Sequence, residues 1–165
     1  MNKYLFLLLS LFIIDSSLGQ TTDTQKINTI LDNWHKAAAE ADFDSYFELM
    51  SKEAVFIGTD AAEVWNKSEF MSFSKPYFDQ GKAWDFSSVN RNIYIGPKGD
   101  IAWFDELLDT WMQLCRGSGV LKKENGQWKI AHYVLSLTIP NDEIEAVIDV
   151  KREIDSTYIK SLVRQ

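Results

Sequence analysis

Residues 125–140, NGQWKIAHYVLSLTIP, decide how this chain is read. Asn125-Gly126 between two apolar runs is a hairpin signal, because the tight type I′ turn needs positive φ at both central residues. The run that follows alternates faces. Trp128, Ile130, His132, Val134 and Ser136 share one side, and Ala131, Tyr133, Leu135 and Leu137 the other. Both sides are apolar, so composition alone does not say which one is internal.

Upstream of the hairpin, "CRGSGVLKKE", "IAWFDELLDTW" and "AWDFSSVNRNIYIG" read as further strands, the last two joined by the turn "PKGD". Before Gly81 the pattern is helical. From Thr24 to near Ala41, Ile27, Ile30, Leu31, Trp34, Ala37 and Ala38 fall at the spacing of an amphipathic helix, with His35 beside the stripe as a rim or surface residue. "DFDSYFELM" makes a short helix capped by Asp42 or Asp44, and "AVFIG" a short strand. Asp60 and Glu63 fit a capping box opening a helical turn over "DAAEVW". Asn66 and Glu69 repeat that spacing ahead of "FMSFSKPYFDQG", a helix expected to bend or break near Pro76 and to stop at Gly81. Downstream of the hairpin, residues 142–165 read as a closing helical tail. Helices followed by a strongly curved antiparallel sheet make an α+β cone with an apolar pit at its open end.

Residues 1–19 read as a signal peptide: Lys3 gives a positive start, "YLFLLLSLFII" is an apolar run too short to span a bilayer, and Ser17 and Gly19 are small residues ahead of Gln20. The expected product is exported, periplasmic or secreted, with residues 20–165 forming a single domain that has no membrane attachment after cleavage. No cysteine lies near the cleavage point, which disfavours a lipid anchor. The formal charge of −7 argues against nucleic acid or anionic lipid as partner. Cys115 is the only cysteine, so no internal disulfide is available and the thiol reads as a buried small hydrophobe. With two histidines, no paired cysteines, no HExxH and no phosphate loop, the sequence indicates neither a metal nor another cofactor.

The helical opening together with "VFIGTDAAEVW", "KPYFDQGKAW", "IAWFDELLD", "CRGSGVL" and "GQWKIAHYVLSLTIPND" resembles the SnoaL-like branch of the nuclear transport factor 2 (NTF2)-like superfamily, over about Thr24 to Val150. The resemblance implies the curved sheet wrapped around N-terminal helices. It leaves the activity open, because this superfold holds cyclases, isomerases, dehydratases, transport adaptors and assembly hubs. The similar strand of the calcium/calmodulin-dependent kinase association domain has a pocket-facing arginine where this chain has Asp105. That similarity implies that Asp105, with Trp103 and Leu107, faces the pit, that Glu106 faces outward, and that the last strand lines the pit with Tyr133 and Leu135.

On that frame Asp105 is the candidate general base, since desolvation among apolar residues would raise its pKa toward neutrality; the other reading is a carboxylate that anchors a neighbouring element. Tyr133 or Tyr77 is the candidate partner for an enolate oxygen. Trp65, Tyr77, Trp84, Trp103, Asp105, Tyr133 and Leu135 would wall the ligand site. Gly117 and Gly119 would face inward beside Cys115, either opening volume for a ligand or letting the sheet coil. The outer face would present Trp128, Ile130, His132 and Arg116 to a second copy, making a homodimer. Three functions follow: a module that binds a small, mostly apolar molecule in the cone; a cofactor-free isomerase, cyclase or dehydratase using Asp105; or a dimeric scaffold with a vestigial pocket.

Overall fold

The Asn125-Gly126 turn forms as its composition requires. Both residues have positive φ, 51° and 80°, and Glu124 faces Gln127 across the hairpin. The computed structural model describes residues 22–163; the signal peptide expected over residues 1–19 and the mature start expected at Gln20 lie outside the described residues. The hairpin joins strand β5, Gln113–Glu124, to β6, Gln127–Leu137. With β1 (Met50–Ile57), β2 (Val64–Asn66), β3 (Ser87–Ile95) and β4 (Ile101–Thr110) they form one six-stranded sheet in the order β2-β1-β6-β5-β4-β3. Every neighbouring pair is antiparallel except β1 and β6, which run parallel. Helices α1 (Asp23–Ala39), α2 (Phe43–Glu48) and α3 (Lys67–Asp79) precede the four long strands, and a 3-10 turn, Asn141–Glu143, leads into α4, Ile144–Val163. This is the expected mixed α+β architecture with a curved, unclosed sheet.

Local chemistry sets the helix ends. Thr22 caps α1 in a capping box, its hydroxyl accepting from the Gln25 N–H at 3.2 Å while Gln25 Oε1 accepts from the Thr22 N–H at 2.8 Å. The helix closes at Ala39, and Ala41 turns the chain at φ 55°. Asp42, rather than Asp44, caps α2 through the Ser45 N–H. Asn66 and Glu69 make the expected reciprocal box at the start of α3, which runs unbroken through Pro76 before Gly81 turns at φ 69°.

The helical turn expected over "DAAEVW" does not form. Asp60 and Glu63 make their side-chain bonds, Glu63 Oε2 to the Asp60 N–H at 3.2 Å and Asp60 Oδ1 to the Ala62 N–H at 2.8 Å. They close a turn instead, because Val64 and Trp65 pair with Ile57 and Phe56 as an edge strand. Capping chemistry alone does not propagate a helix when the following residues find a ladder.

The core lies between α1–α3 and the concave face of the sheet, around Leu31, Trp34, Tyr46, Phe56, Phe70, Phe104, Leu121 and Ile130. Two phases differ from the alternation read in the sequence. In β4 the buried set is Ala102, Phe104, Glu106, Leu108 and Thr110, so Asp105, Trp103 and Leu107 face outward. In β6 Leu121 faces Ile130 but Val120 faces His132, leaving Ala131 as an extra residue. This bulge resets the alternation. Trp128 and Ile130 are therefore buried on the same side as Tyr133 and Leu135, while His132 faces out. Trp128 and Ile130 are core residues and cannot form an outer interface. Cys115 is wholly buried.

Candidate functional site

The inner face of β4 carries an acid, and three elements converge on it. Glu106 is fully buried. It sits directly across the ladder from Arg91 on β3, whose Nε donates to Glu106 Oε2 at 2.9 Å with Nη2 2.8 Å from the same oxygen. The other carboxylate oxygen, Oε1, meets His35 Nε2 of α1 at 2.8 Å and accepts from the Tyr133 hydroxyl of β6 at 3.2 Å. Arg91 Nη1 continues to Asp32 Oδ1 at 2.7 Å and to Asn28 on α1. His35, expected at the rim, is buried because it points into this cluster.

Burial alone would raise the Glu106 carboxyl, but the hydrogen bonds and charges of His35 and Arg91 outweigh it and hold the group below its ordinary value. Burial pushes the Tyr133 phenol well above its ordinary range, and the Glu106 charge beside it pushes the same way. Both oxygens of Glu106 are engaged, by Arg91, His35 and Tyr133. Chemically the arrangement is a clamp that ties α1 to β3, β4 and β6. Gly117 makes it possible, since a Cβ there would overlap the Tyr133 hydroxyl and lie 3.0 Å from Glu106 Cγ. Gly117 and Gly119 do face inward, and the space they leave is filled by Tyr133 and by the Phe104 ring.

Tyr46 gives a second buried phenol, its pKa raised well above the ordinary range by burial. Trp84 lies close enough to ease that shift slightly, but not in hydrogen-bonding geometry, so the hydroxyl has no partner among the described residues. A phenol whose folded pKa is raised contributes stability below its unfolded pKa of about 10 and loses it as pH rises beyond that. The protein should therefore lose stability to denaturant above pH ~10. Tyr46→Phe should flatten that loss without lowering stability at neutral pH, as urea midpoints across the alkaline range would show. A large neutral-pH loss in Tyr46→Phe would mean that the hydroxyl is bonded.

An open cavity of about 180 Å³ lies elsewhere, at the end of the cone formed by β1, β2, α3 and the β4–β5 turn. Its wall is aromatic: Trp65, Phe70, Phe73, Trp84 and Trp111 with Leu135 and Met112. Several rings stack on one another, Trp65 on Phe73 at 4.5 Å and Phe56 on Phe70 at 4.0 Å. Glu63 is the one ionisable side chain on this wall. A wider groove of about 660 Å³ runs between α1, the end of α2 and the β5–β6 turn, lined by Lys26, Glu48 and Lys129, whose Nζ is bound to the Glu48 carbonyl at 2.7 Å.

The residues singled out in the sequence divide accordingly. Trp65, Trp84 and Leu135 line the cavity. Tyr77 is exposed on α3, packed beside Phe73 at 5.6 Å between ring centres. Tyr133 lies deeper, on the clamp. Trp103 is on the convex face, 47% exposed and stacked on Tyr94. Asp105 is also outside, where it accepts from Asn92 Nδ2 at 3.1 Å and lies 3.7 Å from Arg116. It is an anchoring surface carboxylate and is in no position to act as a base in the cone. Its replacement by asparagine should shift unfolding by under about 1 kcal/mol, the scale of exposed ion pairs, in a chemical denaturation curve. His132 and Arg116 both belong to the convex face, as expected, but do not meet: His132 is opposite Val120 and Arg116 opposite Ser136.

Sequence reasoning missed Glu106, Arg91 and His35. The signal was available. Once the turn at residues 97–100 joins the strands, Ile95 faces Ala102 and counting back sets Arg91 against Glu106. Two opposite charges paired on a buried face, with a histidine beside a helix stripe, describe one site.

The model of the SnoaL-like domain matches residues 27–140. The chain belongs to the SnoaL-like domain family. Solved structures similar to this SnoaL-like domain include an NTF2-like protein of unknown function from Pseudomonas putida KT2440, 16% identical with a TM-score of 0.60 over 74% of this chain and 92% of that one. An NTF2-like protein from Cytophaga hutchinsonii is 16% identical, TM-score 0.59, over 71% and 99%. The association domain of CaMKII from C. elegans is 22% identical, TM-score 0.57, over 69% and 95%. At these identities the likeness is one of fold. Comparison with curated proteins gives no match. The SnoaL-like match stops at residue 140, before α4.

Proposed function

We propose that this SnoaL-like domain is an exported binding module that holds a small, mostly apolar molecule in the aromatic cavity at the mouth of its cone. The observation that carries the reading is the division of polar groups. The acid inside the cone, Glu106, is sealed and saturated, whereas the open cavity is mostly apolar with Glu63 and Thr59 to orient a polar end. Such a lining, with few polar groups, is the usual make-up of a small-molecule pocket. Its size narrows the ligand. About 180 Å³ is below the 300–1,000 Å³ typical of drug-sized sites and close to the ~150 Å³ cavity that accepts benzene. One or two fused rings fit, and a four-ring frame does not. The alternative of a cofactor-free proton-transfer enzyme loses the base assigned to it, because Asp105 is on the outer surface.

Titration with indole, phenol and naphthalene derivatives, followed by tryptophan emission, tests the reading. Saturable binding should occur, and Met112→Trp, which fills the cavity from its half-buried rim, should weaken it at least tenfold. Absence of saturation for every one- and two-ring probe, or unchanged affinity in Met112→Trp, would remove the proposal. Export belongs to the same reading, supported by the apolar run and the small residues before Gln20. N-terminal sequencing of the exported protein should begin at or near Gln20, and retention of Met1 in most molecules would refute export by cleavage. Pairing of two copies through the convex face is also part of it, with Tyr94, Ile101 and Trp103 about half exposed there.

A further inference from the structure

The helix α4 has no buried residue, and its one side-chain hydrogen bond to the domain among the described residues runs from the Tyr158 hydroxyl to the Ala61 carbonyl at 3.5 Å. Yet it carries an apolar stripe. Ile144, Ile148, Lys151, Asp155, Tyr158 and Leu162 follow one another at alternating steps of four and three, the spacing of a coiled-coil seam. Val147, Ile154 and Ile159 flank it, the last two 70% and 58% exposed. Arg152, Glu153, Asp149 and Lys160 occupy the opposite face.

The seam is a palindrome about Glu153. Ile144 and Leu162 are equidistant from that residue, as are Ile148 and Tyr158, and so are the two polar members, Lys151 and Asp155. Within one chain Lys151 Nζ already meets Asp155 at 2.9 Å, so the seam's own charges are balanced. Laid antiparallel on a second copy about a two-fold axis at Glu153, every apolar seam residue meets an apolar one and each Lys151 meets an Asp155. The ends agree as well: the acidic start, with Asp142, Glu143, Glu145 and Asp149, runs beside the end that holds Lys160. The same acids on the polar side oppose docking on an anionic lipid surface.

We infer that α4 is a self-association element whose partner is the antiparallel α4 of a second copy, centred on Glu153. The surface is not the convex sheet face, and it adjoins the 58–63 loop through the Tyr158 bond to Ala61. A helix of this length offers a seam about 30 Å long. Burying one Lys151–Asp155 pair per half fixes the register, as single polar seam positions do in coiled coils.

The test uses the full chain. Ile148→Cys and Tyr158→Cys proteins are mixed and oxidised at tens of micromolar; Cys115 is wholly buried and stays out of the reaction. The mixture should give a disulfide joining the two different variants, at least tenfold over either variant alone. Equal or greater linking within one variant alone, or none in the mixture, overturns the antiparallel register. Separately, Lys151→Asp sets like charges together in both halves and should lower the mass by light scattering, and adding Asp155→Lys should restore it. Unchanged mass in Lys151→Asp, or α4-dependent sedimentation with neutral lipid vesicles in place of cross-linking, would sink the inference. The helix is exposed, so circular dichroism should show the domain folded in every variant.

Discussion

Glu106→Gln should lower the stability of the protein by about 3–5 kcal/mol, the usual cost of removing one partner from a buried ion pair. The residue accepts at both oxygens from three side chains, and its replacement leaves Arg91 and His35 facing an amide that carries no charge. Arg91 keeps Asp32, which is largely exposed, so the loss should fall toward the lower figure. Set against a typical total of about 5–15 kcal/mol, either figure is a large fraction. Urea unfolding followed by tryptophan emission measures it. Arg91→Met added to Glu106→Gln should recover part of the loss, because the stranded cation goes with its partner. A cost under about 1 kcal/mol would mean that the cluster is solvated and no clamp at all. The pH dependence has a fixed sign. The folded Glu106 pKa is depressed, so its contribution is complete above the ordinary carboxylate range and is lost as pH falls through the folded value. Glu106→Gln should accordingly narrow the difference in stability between pH 7 and pH 3.

Gly117→Ala should cost about 1–3 kcal/mol from overpacking alone, a larger effect than any surface change in the sheet. The new methyl would overlap the Tyr133 hydroxyl, lie 2.9 Å from its Cζ and 3.0 Å from Glu106 Cγ. Tyr133 cannot retreat without giving up its bond to Glu106, so the loss of a charge-assisted hydrogen bond adds to the total. The mechanism has its own check. Tyr133→Phe removes the overlapping oxygen, so Gly117→Ala/Tyr133→Phe should be more stable than Gly117→Ala alone. If the double variant is instead the less stable, the glycine serves the coiling of β5 and not the fit of the phenol.

How far the fold could be read from residues depends on which signals are local. The hairpin at Asn125-Gly126, the capping boxes at Thr22 and Asn66, and the stripe Ile27, Leu31, Trp34 need only a few neighbours to specify them. The phase of β4 does not. Ala102, Phe104 and Leu108 on one side and Ile101, Trp103 and Leu107 on the other are similarly apolar, so burial could be assigned only by what packs opposite. Borrowing the phase from a similar strand elsewhere gave the inverse, and with it the choice of Asp105 over Glu106. The bulge at Ala131 was hidden for a related reason. Alanine has no turn preference that would mark it, and strict alternation carried Trp128 and Ile130 to the wrong side. Trp65, Trp84 and Leu135 were found as pocket residues because their assignment depended on where helix and sheet meet at the open end, which the order of elements dictates.

The parallel pairing of β1 with β6 bears on when this molecule can assemble. Val55 and Phe56 are neighbours of His132 and Tyr133, and β2 holds to the sheet only through β1. A chain that emerges from a ribosome or a translocation pore in order therefore presents α1, α2, β1, β2 and α3 before the strand that joins them to the rest exists outside. Bonds between positions so distant in sequence form late and slowly. Until residues near 137 are free, the apolar sides of Leu31, Trp34 and Phe70 have no concave face to cover, and the nascent segment is open to holdases and proteases alike. Topology thus imposes an interval of unfolded existence on each new molecule, set by synthesis or passage and not by the stability of the finished cone.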